Sequence, residues 1–326
     1  MGLKIAVLAG GTFEPERSVA AANDVIAVLK EAEHEPELVM VDGGLVDTLL
    51  RSQPDVSINC LRGADGESGD IQDALEVANV PCVGSSAAVC RRAYDKAGLA
   101  EALQAYHNLT EDVTAAVTAQ SLTLSRRAFG AWGAEAVLSQ VESRISSGYP
   151  LCVKPASASA AQGVCRVENA EQLSEALHEA LKLADRALVQ QWVEGVEISV
   201  CILGSGWDAH ALPPVEIVPR KGLYLTDARL GSDAVDYYAP VRLESLSHDE
   251  STAQAIRSEI ERAALEVYRA FGMEGYGCVD LIWDGAQAQV LEVNVTPSLA
   301  ERSVFSVACE ASGLSIPAVL DRLIED

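Results

Sequence analysis

Gly277-Cys278-Val279-Asp280-Leu281-Ile282-Trp283-Asp284-Gly285-Ala286-Gln287-Ala288-Gln289-Val290-Leu291-Glu292-Val293-Asn294 is the stretch that decides how this chain is read. Apolar residues alternate on both sides of Asp284-Gly285, the pattern of two antiparallel strands joined by a tight turn. A turn centred near residue 286 sets Asp280 opposite Glu292, and Asn294, two residues on, projects from the same face as Glu292. Two carboxylates and an amide oxygen then converge. That is costly in an apolar core and well suited to Mg²⁺ bridging phosphates. The same pattern would also serve a half-wet hairpin carrying scattered acids.

Working outward, the 326 residues can bury one large core or several smaller ones, and a hydrophobic share of 49 % marks a folded globular protein. The formal charge of -24 disfavours nucleic acid or an anionic membrane as a partner. In such a field anionic substrates need local positive pockets, so the six lysines (Lys4, Lys30, Lys96, Lys154, Lys182 and Lys221) matter individually. No run of eighteen apolar residues and no signal-peptide pattern occurs, so the cytoplasm is the expected location. The eight cysteines are dispersed, form no CxxC pair and read as buried thiols.

Residues 1–95 read as a layered α/β unit. Strands are expected at Lys4 to Leu8, Glu37 to Val41, Val56 to Cys60 and Pro81 to Val83, with helices near Ser18 to Glu31 and Asp70 to Ala78. Residues 96–189 read as a smaller second domain, helical over Lys96 to Ala105, Trp132 to Ser146 and Asn169 to Leu183, with strands at Leu151 to Lys154 and Val164 to Val167. The loop Pro155 to Gly163 is poor in large side chains, so its amides can approach an anion closely, although a plain flexible hairpin would look the same. Residues 190–326 form the third domain: strands at Leu188 to Val193 and Glu197 to Leu203, a proline-rich connection from Leu212 to Pro219, a loop from Lys221 to Pro240, a helix over Thr252 to Phe271, the hairpin, and helices at Ser303 to Ser312 and Ile316 to Ile324.

In order and spacing, a set of short motifs resembles the D-alanine–D-alanine ligases of the ATP-grasp superfamily over nearly the whole length. They are Gly10-Gly11-Thr12 with Glu16-Arg17-Ser18-Val19; the run from Arg62-Gly63 through Gly66-Glu67 and Gly69 to Gln72; Val83-Gly84-Ser85; and Asp95-Lys96. Val153-Lys154-Pro155, Glu194-Gly195-Val196-Glu197, Leu212 to Ile217, and Leu291-Glu292-Val293-Asn294-Val295-Thr296-Pro297 complete the set. The resemblance implies an α/β ATP-grasp fold with a nucleotide cleft between the central and C-terminal domains. It implies ATP and two Mg²⁺ ions as cofactors, with Mn²⁺ as a substitute, and commonly a homodimer.

By resemblance, Lys96 and Lys154 hold the ATP phosphates, Glu197 takes the ribose hydroxyls, and Gln190 through Trp192 and Val193 form the adenine-side hinge. Asp280, Glu292 and Asn294 ligate the metal. Arg229 falls where the family has a lysine near the γ-phosphate, keeping the charge with a different fork geometry. Ser303 matches a serine that helps bind the second substrate's carboxylate, and Glu16 belongs to a hydrogen-bonded set with a serine and a tyrosine. Those two partners are replaced here by Ala160, within Ser159-Ala160-Ala161, and by Leu230. The family arginine two residues before the metal-binding aspartate is Cys278, Arg62 stands for a histidine, and Ser298 for a glycine. The implied function is an ATP-dependent carboxylate–amine ligase working through an acyl phosphate, with an amino acid or related carboxylate and an amine as substrates and an altered substrate site. The rival reading is a silent ATP-binding homologue with a regulatory role. The small-residue loop and the segment Tyr224 to Tyr238 are the expected lids.

Overall fold

The computed structural model describes residues 2–110, 116–220, 222 and 234–325. Near the N-terminus β1 (Lys4–Gly10) lies between β2 (Glu35–Val41) and β3 (Val56–Asn59), all parallel. From Ile5 on, β1 is buried on both faces, as a parallel strand covered on each side must be. The helix Pro15–Glu31 covers one face through Ala22, Val25 and Leu29. Leu45, Leu49, Ile71 and Leu75 from the helices Leu45–Ser52 and Asp70–Val77 cover the other. The fourth strand expected at Pro81 to Val83 reduces to a single parallel bridge between Ser57 and Cys82.

After the helix Leu99–Leu109, the short β4 (Ala116–Val117) joins the C-terminal sheet, while β5 (Ser121–Ser125), β6 (Leu151–Pro155), β7 (Cys165–Val167) and β8 (Arg186–Gln191) make an antiparallel sheet in the order β5-β8-β6-β7. The helices Arg126–Arg144 and Ala170–Leu183 pack on it through Val137, Val141, Leu173 and Leu177. The first begins six residues earlier than the sequence indicated. Ser125 accepts the Ala128 amide as its N-cap, and the helix breaks at Gly133. The strand β8 runs across the 189/190 division, and the helix Leu99–Leu109 packs on the C-terminal helix Glu250–Phe271.

The remaining strands are β9 (Val196–Leu203), β10 (His210–Ala211), β11 (Val215–Pro219), β12 (Val235–Tyr238), β13 (Tyr276–Trp283) and β14 (Ala288–Asn294). They form a sheet in the order β12-β11-β9-β13-β14-β4, with β10 pairing to β9. Both β11 and β12 fall in segments that the sequence marks as connection and loop. Pro213, Pro214 and Pro219 disguise β11, whose ladder to β9 is only the pair Val215–Ser199 and Glu216–Ile198.

One face of this sheet is closed by the helix Glu250–Phe271. Asp249 caps its N-terminus, accepting the Thr252 amide at 2.8 Å, and Gly272 ends it in the left-handed region at φ 64°. Tyr268 and Phe271 are fully buried beneath it, each contributing about 1.5–3 kcal/mol of burial. The other face carries Tyr276, Cys278 and Cys201 into a cluster shared with Ile5, Val7, Ile58 and Phe305, which fixes the N-terminal sheet against it. Along β13 that face changes from apolar to polar at Asp280, and there the candidate site begins. Among the described residues no single helix is long and apolar enough to cross a membrane.

Candidate active site

The register of β13 against β14 sets Asp280 directly opposite Glu292 and Cys278 opposite Asn294. Beyond Asp280 the ladder slips, with Leu281 facing Val290, so Leu291 is the extra residue of a β-bulge. Its carbonyl is turned out of the ladder and accepts from Lys154 Nζ at 3.2 Å. Ser199, beside Asp280 on β9, donates to Asp280 Oδ1 at 2.7 Å. Asn294 Oδ1 accepts the Thr296 amide at 3.0 Å, which leaves it a second lone pair. Lys96 Nζ lies 3.2 Å from Glu292 Oε2 and donates to the Ala158 carbonyl at 2.6 Å. Two carboxylates and two ammonium groups thus share one small region.

No group of three or more His, Cys, Asp or Glu residues forms a metal cage among the described residues. The donors at hand are oxygens only, two carboxylates and an amide. That set fits a hard cation which keeps waters and takes its other ligands from phosphates.

Two cavities flank these side chains, with a small pocket lined by Glu67, Lys96, Glu292 and Asn294 sharing residues with both. One, of about 340 Å³, runs from Lys154 and Glu292 past Gln190, Trp192, Val193 and Glu197, all predicted from the sequence. Gln190 is buried near the end of β8, and Glu197 lies near the start of β9. The connection between these strands is tight: a Cβ on Gly195 would stand 2.1 Å from the Trp283 carbonyl oxygen. Arg166, which the sequence did not single out, stacks 5.1 Å from the Trp192 ring and lies 3.6 Å from Glu194.

The second cavity, of about 560 Å³, holds Asp280 and Asn294 together with Arg62, Cys278, Ala160 and Ser303. Cys278 is buried against Cys201, and burial pushes its thiol well above the ordinary cysteine range, so it is neutral. Ser303 caps the helix Val304–Ala311, its Oγ accepting the Ser306 amide at 3.1 Å. Arg62 donates through Nε to Glu14 Oε2 at 2.7 Å.

Glu16, expected in the substrate site, is exposed and lines neither cavity. Pro15 starts the helix, and the left-handed Glu14 at φ 47° turns its own carboxylate inward to Arg62, leaving Glu16 on the outer side of the first turn. Arg229 and Leu230 lie outside the described residues, as does most of the expected lid from Tyr224 onward.

Glu67, quoted above only as part of a motif, emerges at the cavity junction. Ser159 Oγ donates to Glu67 Oε2 at 2.6 Å. Desolvation raises the Glu67 carboxyl above its ordinary range, opposed by that hydrogen bond and by Lys96 and Arg62. Its position between Gly66 and Gly69 was the available signal. Ser199 was legible too, two residues beyond Glu197 and so on the same strand face.

Residues 118–325 match the family model described as the D-ala D-ala ligase C-terminus. Over 327 residues the chain is 30 % identical to the D-alanine–D-alanine ligase of Bordetella avium, covering 99 % of this chain and 94 % of that one. It is 28 % identical to the ligase of the same name from Halalkalibacterium halodurans, covering 99 % and 98 %. Among solved structures, the D-alanine–D-alanine ligase of Bacillus anthracis complexed with ATP superposes with a TM-score of 0.78 at 21 % identity, over 100 % of this chain and 96 % of that one. The chain belongs to the D-alanine–D-alanine ligase family, the ATP-grasp carboxylate–amine ligases, and has their α/β fold.

Proposed function

We propose that this protein activates a small amino acid or related carboxylate with ATP and joins it to an amine, using a substrate site altered from that of D-alanine–D-alanine ligation. The observation that carries the reading is Asp280 facing Glu292 across the ladder, with Lys96 and Lys154 nearby, between a nucleotide-sized cavity and a second one.

In this reading the adenine lies against Gln190, Trp192 and Val193, and Glu197 accepts the ribose hydroxyls. Lys96 and Lys154 hold the phosphates, with Arg229 serving by resemblance near the γ-phosphate. Asp280, Glu292 and Asn294 hold magnesium, which when bound supplies charge neutralisation among the phosphate oxygens. A substrate carboxylate oxygen attacks the γ-phosphorus, the bond to the β-bridging oxygen breaks, and ADP leaves. The amine then attacks the acyl carbon and phosphate departs. In the first step the protein aligns the reactants and compensates charge in a cleft shielded from water.

The altered substrate site rests on Cys278, a neutral thiol where the family has a fixed positive charge, and on Arg62, which lines the same cavity while pairing with Glu14. The same thiol favours the second reading, a silent ATP-binding homologue with a regulatory role. An ADP-release screen across D- and L-amino acids, dipeptides and hydroxy acids separates the two. Acid-dependent turnover, falling about 10²-fold or more in Asp280→Asn, is expected. Nucleotide binding without turnover for any acid would establish the silent reading, and strict D-alanine dependence would remove the altered site.

A further inference from the structure

Resting on the ligase reading, the second step needs a proton acceptor, because an amine that arrives as an ammonium ion has no lone pair with which to attack. The substrate cavity is short of such groups. Among the described residues lining it there is no histidine and no lysine. Arg17, Arg62 and Arg302 are hydrogen-bond donors with no acceptor site for a proton. Cys60 and Cys278 are thiols kept protonated by burial. Asp280 is committed to the metal in this reading, Tyr237 is a phenol and not a carboxylate, and Asp24 and Glu301 are exposed at the rim. Glu67 alone remains as a carboxylate set deep in the walls.

Its placement is distinctive. Glu67 lines both the substrate cavity and the small pocket that also contains Lys96, Glu292 and Asn294. It is surrounded densely by protein yet keeps part of its surface open to the cavity, so a ligand can reach it while bulk water is largely kept away. Ser159 fixes its orientation from the small-residue loop at 2.6 Å, and Ser159 also meets Tyr94. We propose that Glu67 is the catalytic base of amide formation, taking the proton of the incoming ammonium group.

The Glu67 carboxylate takes one proton from the ammonium nitrogen, whose freed lone pair forms the C–N bond. The bond from the acyl carbon to the phosphate oxygen breaks, its electron pair leaves with phosphate, and the phosphate carries off the second nitrogen-bound proton. The groups facing Glu67 are suited to that exchange. Burial raises the Glu67 carboxyl above its ordinary range, opposed by the Ser159 hydrogen bond, Lys96 and Arg62. Tyr94, on the segment before Lys96, is itself held protonated by burial.

The test uses two nucleophiles with the purified enzyme, the accepted acid and Mg-ATP: the accepted amine, and hydroxylamine, which is uncharged at neutral pH and needs no deprotonation before it attacks. Glu67→Gln keeps the acceptor for Ser159 and is expected to lower amide formation about 10²-fold or more while hydroxamate formation stays within about threefold of wild type. Its amide rate should then climb with pH toward the amine's own titration. Equal loss of both products would make Glu67 a structural residue, and loss of neither would remove it from the step. Should the variant fail to fold, the wild-type profiles decide: an amide rate that levels off well below the amine's own titration supports the assignment, and an amide rate that keeps climbing to that titration, as free amine alone would give, overturns it. Wild-type protein giving neither ADP nor hydroxamate with any acid would instead bring down the ligase reading itself, and this assignment with it.

Discussion

Replacing Glu292 by glutamine should move nucleotide binding in opposite directions with and without magnesium. In the structure Lys96 Nζ lies 3.2 Å from Glu292 Oε2, with side-chain exposures of 10 % and 19 %. At an effective dielectric constant near 20 the attraction at that distance is ~5 kcal/mol, most of it offset by the cost of desolvating both ions. A net coupling of about 1–2 kcal/mol remains, which ATP must overcome to engage Lys96 when no metal is present. The glutamine variant removes that competition and one negative charge facing the phosphates, while Lys96 keeps its bond to the Ala158 carbonyl. Metal-free affinity for a non-hydrolysable ATP analogue should therefore rise about 5- to 30-fold. The gain on adding Mg²⁺ should shrink by about tenfold or more, because half of the carboxylate charge on the ion is gone. Calorimetric titrations with EDTA and with Mg²⁺ read both quantities. If metal-free affinity falls, or if the Mg²⁺ gain survives unchanged, the competition between Lys96 and the metal for Glu292 is wrong.

Two further predictions concern the scaffold. Glu216 accepts Arg242 at 2.7 and 3.0 Å and Ser245 at 2.8 Å, contacts that together outweigh burial and hold its carboxyl below the ordinary glutamate range. Its stabilisation is thus full above about pH 4.3 and is lost as pH falls through the folded-state value, so the difference in urea midpoint between wild type and Glu216→Gln should close on acidification; a difference independent of pH would contradict it. Gly195→Ala would drive a Cβ to 2.1 Å from the Trp283 carbonyl oxygen, costing about 1–3 kcal/mol. A wild-type thermal midpoint for that variant would show that the hinge has room to move.

The hairpin was readable because Asp284-Gly285 marks the turn, but the register next to that turn alone would set Asp280 opposite Leu291, and it is the bulge at Leu291 that brings Glu292 opposite Asp280. The bulge at Leu291, which redirects a carbonyl to Lys154, leaves one mark in the sequence: the adjacent apolar pair Val290-Leu291, where the alternation changes parity so that Ala288, Val290 and Val293 face the same core. The strands Val215–Pro219 and Val235–Tyr238 were hidden for another reason: they are short, and prolines flank the first. The inward placement of Glu14, and the outward one of Glu16, depended on the backbone. A left-handed residue before Pro15 turns one inward and the other outward, which no count of spacing reveals. Glu67 depended on the meeting of three distant segments, around residues 62–67, 94–96 and 159, and such convergence carries no local periodicity.

The most direct measurement of the ligase account is the fate of oxygen. With the accepted acid labelled by ¹⁸O in its carboxylate, an attack of that carboxylate on the γ-phosphorus leaves one labelled oxygen in the phosphate released with each amide formed. Mass spectrometry of the phosphate is predicted to find that label. Phosphate free of ¹⁸O, with product accumulating, would contradict activation of the acid through an acyl phosphate.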